Sequence, residues 1–139
     1  MTVRSLLTLS VLALGVGLVG CKGTRPDSPL TGTESMHHLM ESRESAAKPL
    51  FARPVGAPLA DAEIPSLTAS ANRILAINSA VKTRFASKQP ATFAAHAEQL
   101  EKGTQDLLVA LQAKDATQAQ AAMKTIDGAC GACHKEFKQ

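Results

Sequence analysis

Asp61–Phe85 reads DAEIPSLTASANRILAINSAVKTRF. Within it Ile64, Leu67, Ala71, Ile74, Asn78, Val81 and Phe85 recur at alternating steps of three and four residues. An α-helix turns once every ~3.6 residues, so these side chains form one face of an amphipathic helix. A half-buried strand would alternate with period two instead. Pro65 is compatible with this helix because it falls in the first turn, where backbone N–H groups have no intrahelical acceptor.

The same periodicity recurs on either side. Upstream, Thr33–Ala47 predicts a helix whose face is Met36, Leu39, Met40, Arg43 and Ala47, continuing in register to Leu50, with Ser35 as the N-cap. Pro49, Pro54, Gly56 and Pro58 then predict a long non-helical connection. Downstream, Ser87-Lys88-Gln89-Pro90 breaks the chain. A third face follows in Phe93, Ala97, Leu100, Thr104, Leu107 and Leu111. Lys114-Asp115-Ala116 is a tight link with Asp115 as N-cap. The fourth face is Ala119, Met123, Ile126, Cys130, Cys133 or His134, and Phe137. Four amphipathic segments with one long and two short connections predict an all-α, antiparallel four-helix bundle over residues 33–139. No internal repeat is visible.

Composition agrees. Alanine supplies 24 of the 139 residues, Trp and Tyr are absent, and Phe occurs four times. Strands favour β-branched and aromatic residues, whereas alanine is the best helix former, so a β-sandwich or barrel is disfavoured. The net charge is +3, or +2 for the side chains after residue 20, with no basic stripe interleaved with aromatics. Nucleic acid is therefore not an expected partner.

The N-terminus reads as an address. One Arg precedes the apolar run Leu6–Gly20, which is shorter than the ~18–20 residues of a spanning helix. The run ends in Leu18-Val19-Gly20-Cys21, which resembles the lipobox of bacterial lipoproteins. That resemblance implies cleavage after residue 20, lipidation of Cys21 and attachment to a membrane surface without a spanning helix. A plain signal peptide with a stray Cys, or an uncleaved anchor, are the alternatives. Lys22 rather than Asp after the Cys leans toward the outer membrane in Gram-negative sorting. Residues 21–32, with two Pro, two Gly and polar filler in Lys22–Gly32, read as a tether from Cys21.

Cys130-Gly131-Ala132-Cys133-His134 is C-x-x-C-H, the pattern of c-type heme attachment. Two thiols add to the two vinyl groups of heme, and the neighbouring imidazole becomes the proximal ligand of the iron. A zinc site needs about four ligands, and only one C-x-x-C is present. A thioredoxin-like pair would sit in a βαβ setting, which this pattern lacks. A plain disulfide is the remaining alternative in an oxidising compartment.

With that motif on its last helix, the chain resembles the class II c-type cytochromes, the cytochrome c-prime and c-556 family, over about Ser35–Lys138. The supporting features are the C-terminal C-x-x-C-H, the Lys114-Asp115 link about fifteen residues before it, Gly56-Ala57-Pro58 before the second helix, and Phe137 three residues past the His. The resemblance implies one covalent heme c held by Cys130, Cys133 and His134, seated near the C-terminal helix and loaded by heme-attachment machinery. Where the family often has Arg four residues after the His, this chain has Lys138, a weaker propionate partner because it lacks a bidentate fork.

The family divides by what its first helix presents to the distal side of the iron. A Met implies a six-coordinate electron carrier, and an apolar residue implies a five-coordinate site open to nitric oxide or carbon monoxide. Register places the distal position nearest Met40, with Met36 one turn away as second choice; both could instead be core filling. His37 and His38 offer a bis-His alternative but point off the Met36/Leu39/Met40 face. His96 reads as a boundary histidine, Asn78 as a satisfied buried amide or a group that bonds near the heme, and Phe93 and Phe137 as core or heme-packing groups. Lys124, Lys135 and Lys138 offer a docking patch for an acidic partner, or simply a solvated helix face.

No nucleophile elbow or phosphate-binding loop appears, and the acids are scattered. The expectation is therefore an electron carrier rather than an enzyme. It would be exported and lipid-anchored on the periplasmic side, serving a periplasmic or membrane redox partner by outer-sphere transfer. It would be a monomer or, as relatives pairing through their first two helices imply, a homodimer.

Overall fold

The computed structural model describes residues 28–138. The expected export segment 1–20, Cys21 and the expected tether through residue 27 lie outside the described residues, as does Gln139. The described chain forms four helices: α1 (Met36–Phe51), α2 (Ile64–Phe85), α3 (Ala91–Gln112) and α4 (Ala116–Phe137). A short 3-10 turn, Ala86–Lys88, joins α2 to α3. No strand occurs among the described residues. The protein is an all-α four-helix bundle.

Each helix begins where its local chemistry favours it. The Ser35 hydroxyl accepts from the His38 backbone N–H at 3.2 Å, and the Asp115 carboxylate accepts from that of Gln118 at 2.9 Å. Both satisfy donors that the first turn leaves open. α2 starts at Ile64 with Pro65 in its first turn. α1 runs four residues beyond the expected Ala47 and carries Pro49 inside its last turn. The ring is exposed on the outer side, while Leu50 next to it is buried. Burying Leu50 holds the turn helical, and the Ala52 N–H closes it on the Lys48 carbonyl at 3.0 Å.

Successive helices pack on one another: α1 on α2, α2 on α3, and α3 most extensively on α4. With the short 86–90 and 113–115 links, this sequence of neighbours makes the helices antiparallel. The α3–α4 seam is close because small residues line it. A methyl group on Gly103 would lie 3.0 Å from Thr125 Cγ2. α1 and α4, which would close the ring, scarcely touch.

The core divides into two clusters. The larger contains Leu50, Leu67, Ile74, Leu107, Leu111 and Ile126 with many alanines. The smaller contains Leu39, Ile77, Val81 and Phe93, and borders Met36, Met40, Cys133 and Phe137. Asn78 bridges α2 to α3, its amide N–H donating to the Ala97 carbonyl at 2.8 Å. The long α1–α2 connection is tied down by Arg53, which bonds Glu63 and the Pro58 carbonyl. Gly56, at φ +80°, turns the connection so that its N–H meets Gln120 Oε1 at 3.0 Å.

Candidate functional site

The gap between α1 and α4 is a cleft with two adjoining lobes of about 480 and 470 Å³. Cofactor sites span roughly 300–1,000 Å³. Met40, Glu44 and His134 border both lobes. One lobe extends toward Met36, His37, Phe93, Cys133, Phe137 and Lys138. The other extends toward Arg43, Lys48, Phe51 and Cys130. Behind them a cavity of about 20 Å³ is bounded by Met40, Arg43, Phe93, His96, Cys130 and Cys133.

The α4 wall carries Cys130, Cys133 and His134 in consecutive turns of one helix. The spacing of three puts both thiols on the cleft side, where each is half-buried and unbridged. Burial pushes both thiols up, an effect that the Arg43 charge partly offsets. Burial also pushes His134 down, and Arg43 and then Lys138 push the same way. These effects favour the neutral imidazole, the form that can ligate a metal. Among the described residues, no three His, Cys, Asp or Glu side chains are grouped to hold a bare metal ion.

The α1 wall carries Met36 and Met40, both partly buried. His37 is exposed and His38 less so; both lie near Glu41, at 3.4 and 4.0 Å. His37 reaches the rim of the larger lobe. His96 lies on α3, its Nε2 3.0 Å from Glu136 of α4. Thr92 donates to the other Glu136 oxygen at 2.5 Å. Glu136 is lowered first by Thr92 and then by His96. These contacts hold the last turn of α4 against the start of α3, where Phe93 and Phe137 meet edge to face at 5.4 Å between centroids. Lys124, Lys135 and Lys138 are all exposed.

One residue of the cleft carried no assigned role in the sequence reading. Arg43 is 7% exposed, and its Nη2 lies 2.9 Å from Met40 Sδ. The available signal was a charged residue on an otherwise apolar stripe, between Met40 and Ala47. Phe51 and Lys48 were also missed, because the helix was expected to stop before Pro49.

Free thiols one turn apart, an adjacent imidazole and a cleft walled by Phe and Met side chains fit a covalently bound heme. The Cytochrome C' family model matches residues 67–138, more than half of the chain. The protein belongs to the cytochrome c-prime family, whose members bind heme and serve as electron carriers or gas-binding proteins rather than, in general, as enzymes. Comparison with curated proteins and with solved structures found no match.

Proposed function

We propose that the chain is a lipid-anchored c-type cytochrome that transfers single electrons, with one heme c attached through Cys130 and Cys133. In attachment, each thiol S–H adds across a vinyl double bond to give a thioether. His134 of α4 and Met40 of α1 would hold the iron, one through an imidazole nitrogen and the other through a thioether sulfur. The observation that carries this reading is the placement of Met40 and His134 on facing helices, both bordering both lobes of the cleft. Met36 borders one lobe only and is the second choice for the distal position.

Bound heme would supply an iron that alternates between ferric and ferrous states. The chain's own residues do the rest. Phe93 and Phe137 exclude water from one side of the cleft. The α3–α4 seam keeps His134 in place, so little has to rearrange when the charge changes. Lys138 reaches the rim, where a propionate would be met by a single cation. Lys124 and Lys135 of α4, with Lys138 just past its end, present a positive face to an acidic redox partner in the periplasm or membrane. A lipid on Cys21 would confine the protein near such partners and raise its effective concentration toward them. The lysine after the Cys favours the outer membrane.

One observation favours a second reading. Met40 Sδ is already engaged by Arg43. A sulfur held there leaves the distal position open, as in a five-coordinate protein that binds nitric oxide or carbon monoxide. Optical spectra of the heme-loaded chain, oxidised and reduced with and without carbon monoxide, separate the two. Low-spin bands unmoved by the gas support Met ligation, and Met40→Leu then converts them to high spin. A high-spin spectrum that shifts with the gas rejects it. Incorporation of labelled fatty acid, abolished by Cys21→Ala, tests the anchor separately.

A further inference from the structure

Arg43 stands out because it is buried without a counter-ion. It is 7% exposed, and among the described residues no carboxylate pairs with it. Its hydrogen bond goes to a thioether sulfur, a weak acceptor. A buried cation is ordinarily paired, because desolvation is costly. The Arg53, Lys82 and Arg84 side chains, all less than fully exposed, each have a carboxylate.

A heme propionate is the obvious anion, but the geometry points elsewhere. Heme carries its vinyl groups and its propionates on opposite edges. Arg43 shares the small inner cavity with both Cys130 and Cys133, the residues that would take the vinyl edge. It also touches Met40, on the side of the cleft opposite His134. With Cys130 and His134 it also borders one lobe of the cleft. Its charge therefore reaches across the cleft to the place where the iron would lie.

We propose that Arg43 is a positioning and potential-setting residue: a fixed, buried cation beside the distal ligand that disfavours the ferric state and raises the reduction potential. This inference rests on the heme reading above. The physical basis is direct. Guanidinium keeps its charge at every physiological pH. In a site with little water, a nearby positive charge is poorly screened, and the oxidised heme carries one more positive charge than the reduced. Outer-shell hydrogen bonding and local dielectric are recognised controls on heme potential. The contact with Met40 Sδ also restrains that side chain.

The test is spectroelectrochemical titration of the heme-loaded full chain and of Arg43→Met and Arg43→Lys. Arg43→Met is expected to shift the redox equilibrium at least tenfold toward the oxidised form, about 59 mV for one electron. Arg43→Lys is expected to retain more than half of the wild-type difference. Thermal unfolding supplies a readout that separates charge from structure. Replacing an unpaired buried cation by a similarly sized apolar side chain leaves melting unchanged or raises it. A merely structural Arg43 would show lower melting with an unchanged potential, and that result overturns the proposal. An equal fall in the Lys and Met variants also overturns it, since charge would not be the cause. Arg43→Gln is the second neutral variant if Arg43→Met does not accumulate, with the same shift expected. A wild-type protein that is high-spin rejects Met40 as ligand while the Arg43 shift is still read. A chain that takes up no heme overturns both.

Discussion

The two apolar clusters of this bundle are closed in different ways. The larger is finished by the protein itself: alanines and Gly103 let α3 and α4 approach, and Leu107 and Ile126 are fully buried between them. The smaller ends at Met36, Met40, Cys133 and Phe137, all partly exposed to the α1–α4 cleft. Helix pairs that close a ring normally bury their facing stripes. Here α1 turns such a stripe toward α4 and finds a gap. One cluster is closed by the chain itself, and the other is left open on the α1–α4 cleft.

The strongest way to break that contrast is to remove the attachment points. The double variant Cys130→Ala/Cys133→Ala is expected to lose heme completely, read as loss of heme staining on a denaturing gel. It is also expected to melt lower than the loaded protein, because the contacts and ligation that a bound heme makes only in the folded state stabilise that state. Equal melting of the two would mean that the smaller cluster needs no insert.

The next contrast is between core residues. Ile126→Ala in the closed cluster is expected to cost about 2–5 kcal/mol, with or without heme. Phe93→Ala at the open cluster is expected to cost about 3–5 kcal/mol in the loaded protein and distinctly less in the cysteine double variant, where the cleft can collapse. Urea unfolding of both variants in both backgrounds measures this. A Phe93 effect that is the same in both backgrounds would remove its role as a wall of the cofactor site.

The periodicities of α2 and α3 were legible because their stripes are nearly uninterrupted: Phe93, Ala97, Leu100, Thr104, Leu107 and Leu111 are all buried. Both caps were legible because Ser35 and Asp115 act locally. The end of α1 was not, because proline in a last turn is decided by the tertiary burial of Leu50, which local propensity does not contain. Ser70 and Ile77 widen the buried face of α2, which packs against both α1 and α3, and Ser42 and Ala46 widen that of α1, beyond what a single stripe contains. The C-x-x-C-H string announced itself by spacing alone. Arg43 did not, since its significance lies in the absence of a partner in space.

The α3–α4 seam gives a smaller and sharper test. Gly103→Ala gains about 1 kcal/mol of helix propensity but forces its new methyl to 3.0 Å from Thr125 Cγ2. Overpacking costs about 1–3 kcal/mol, so a net loss of about 1 kcal/mol is expected. Thr125→Ser removes that methyl while keeping the hydroxyl that donates to the Ala121 carbonyl. The double variant should therefore recover the loss, measured as a double-mutant cycle of unfolding free energies. Recovery would confirm that close approach, rather than glycine flexibility, is what the seam requires. No matching cycle exists across the cleft, where no such close approach of α1 to α4 occurs.

The smallest effect lies at the edge of the open cluster, where Glu34 anchors the chain entering α1. Its carboxylate accepts from the Thr31 and Gly32 backbone N–H groups and pairs with Arg84 of α2 at 3.2 Å. The Thr31 backbone bond is the leading cause of a shift in its pKa from 4.5 to about 2. A depressed folded-state value means that the ionised form stabilises the fold above pH 4.5. That contribution is lost as pH falls toward 2, because the unfolded chain takes up the proton first. Glu34→Gln is therefore expected to be less stable than wild type at neutral pH. The gap should narrow between pH 4.5 and 2 and close below it, as followed by urea unfolding across that range. Arg84→Gln should narrow the same gap only slightly, since the backbone donors of Thr31 and Gly32 remain. A gap between wild type and Glu34→Gln that stays constant down to pH 2 would show that Glu34 acts through packing, and that the entry to α1 is not held by charge.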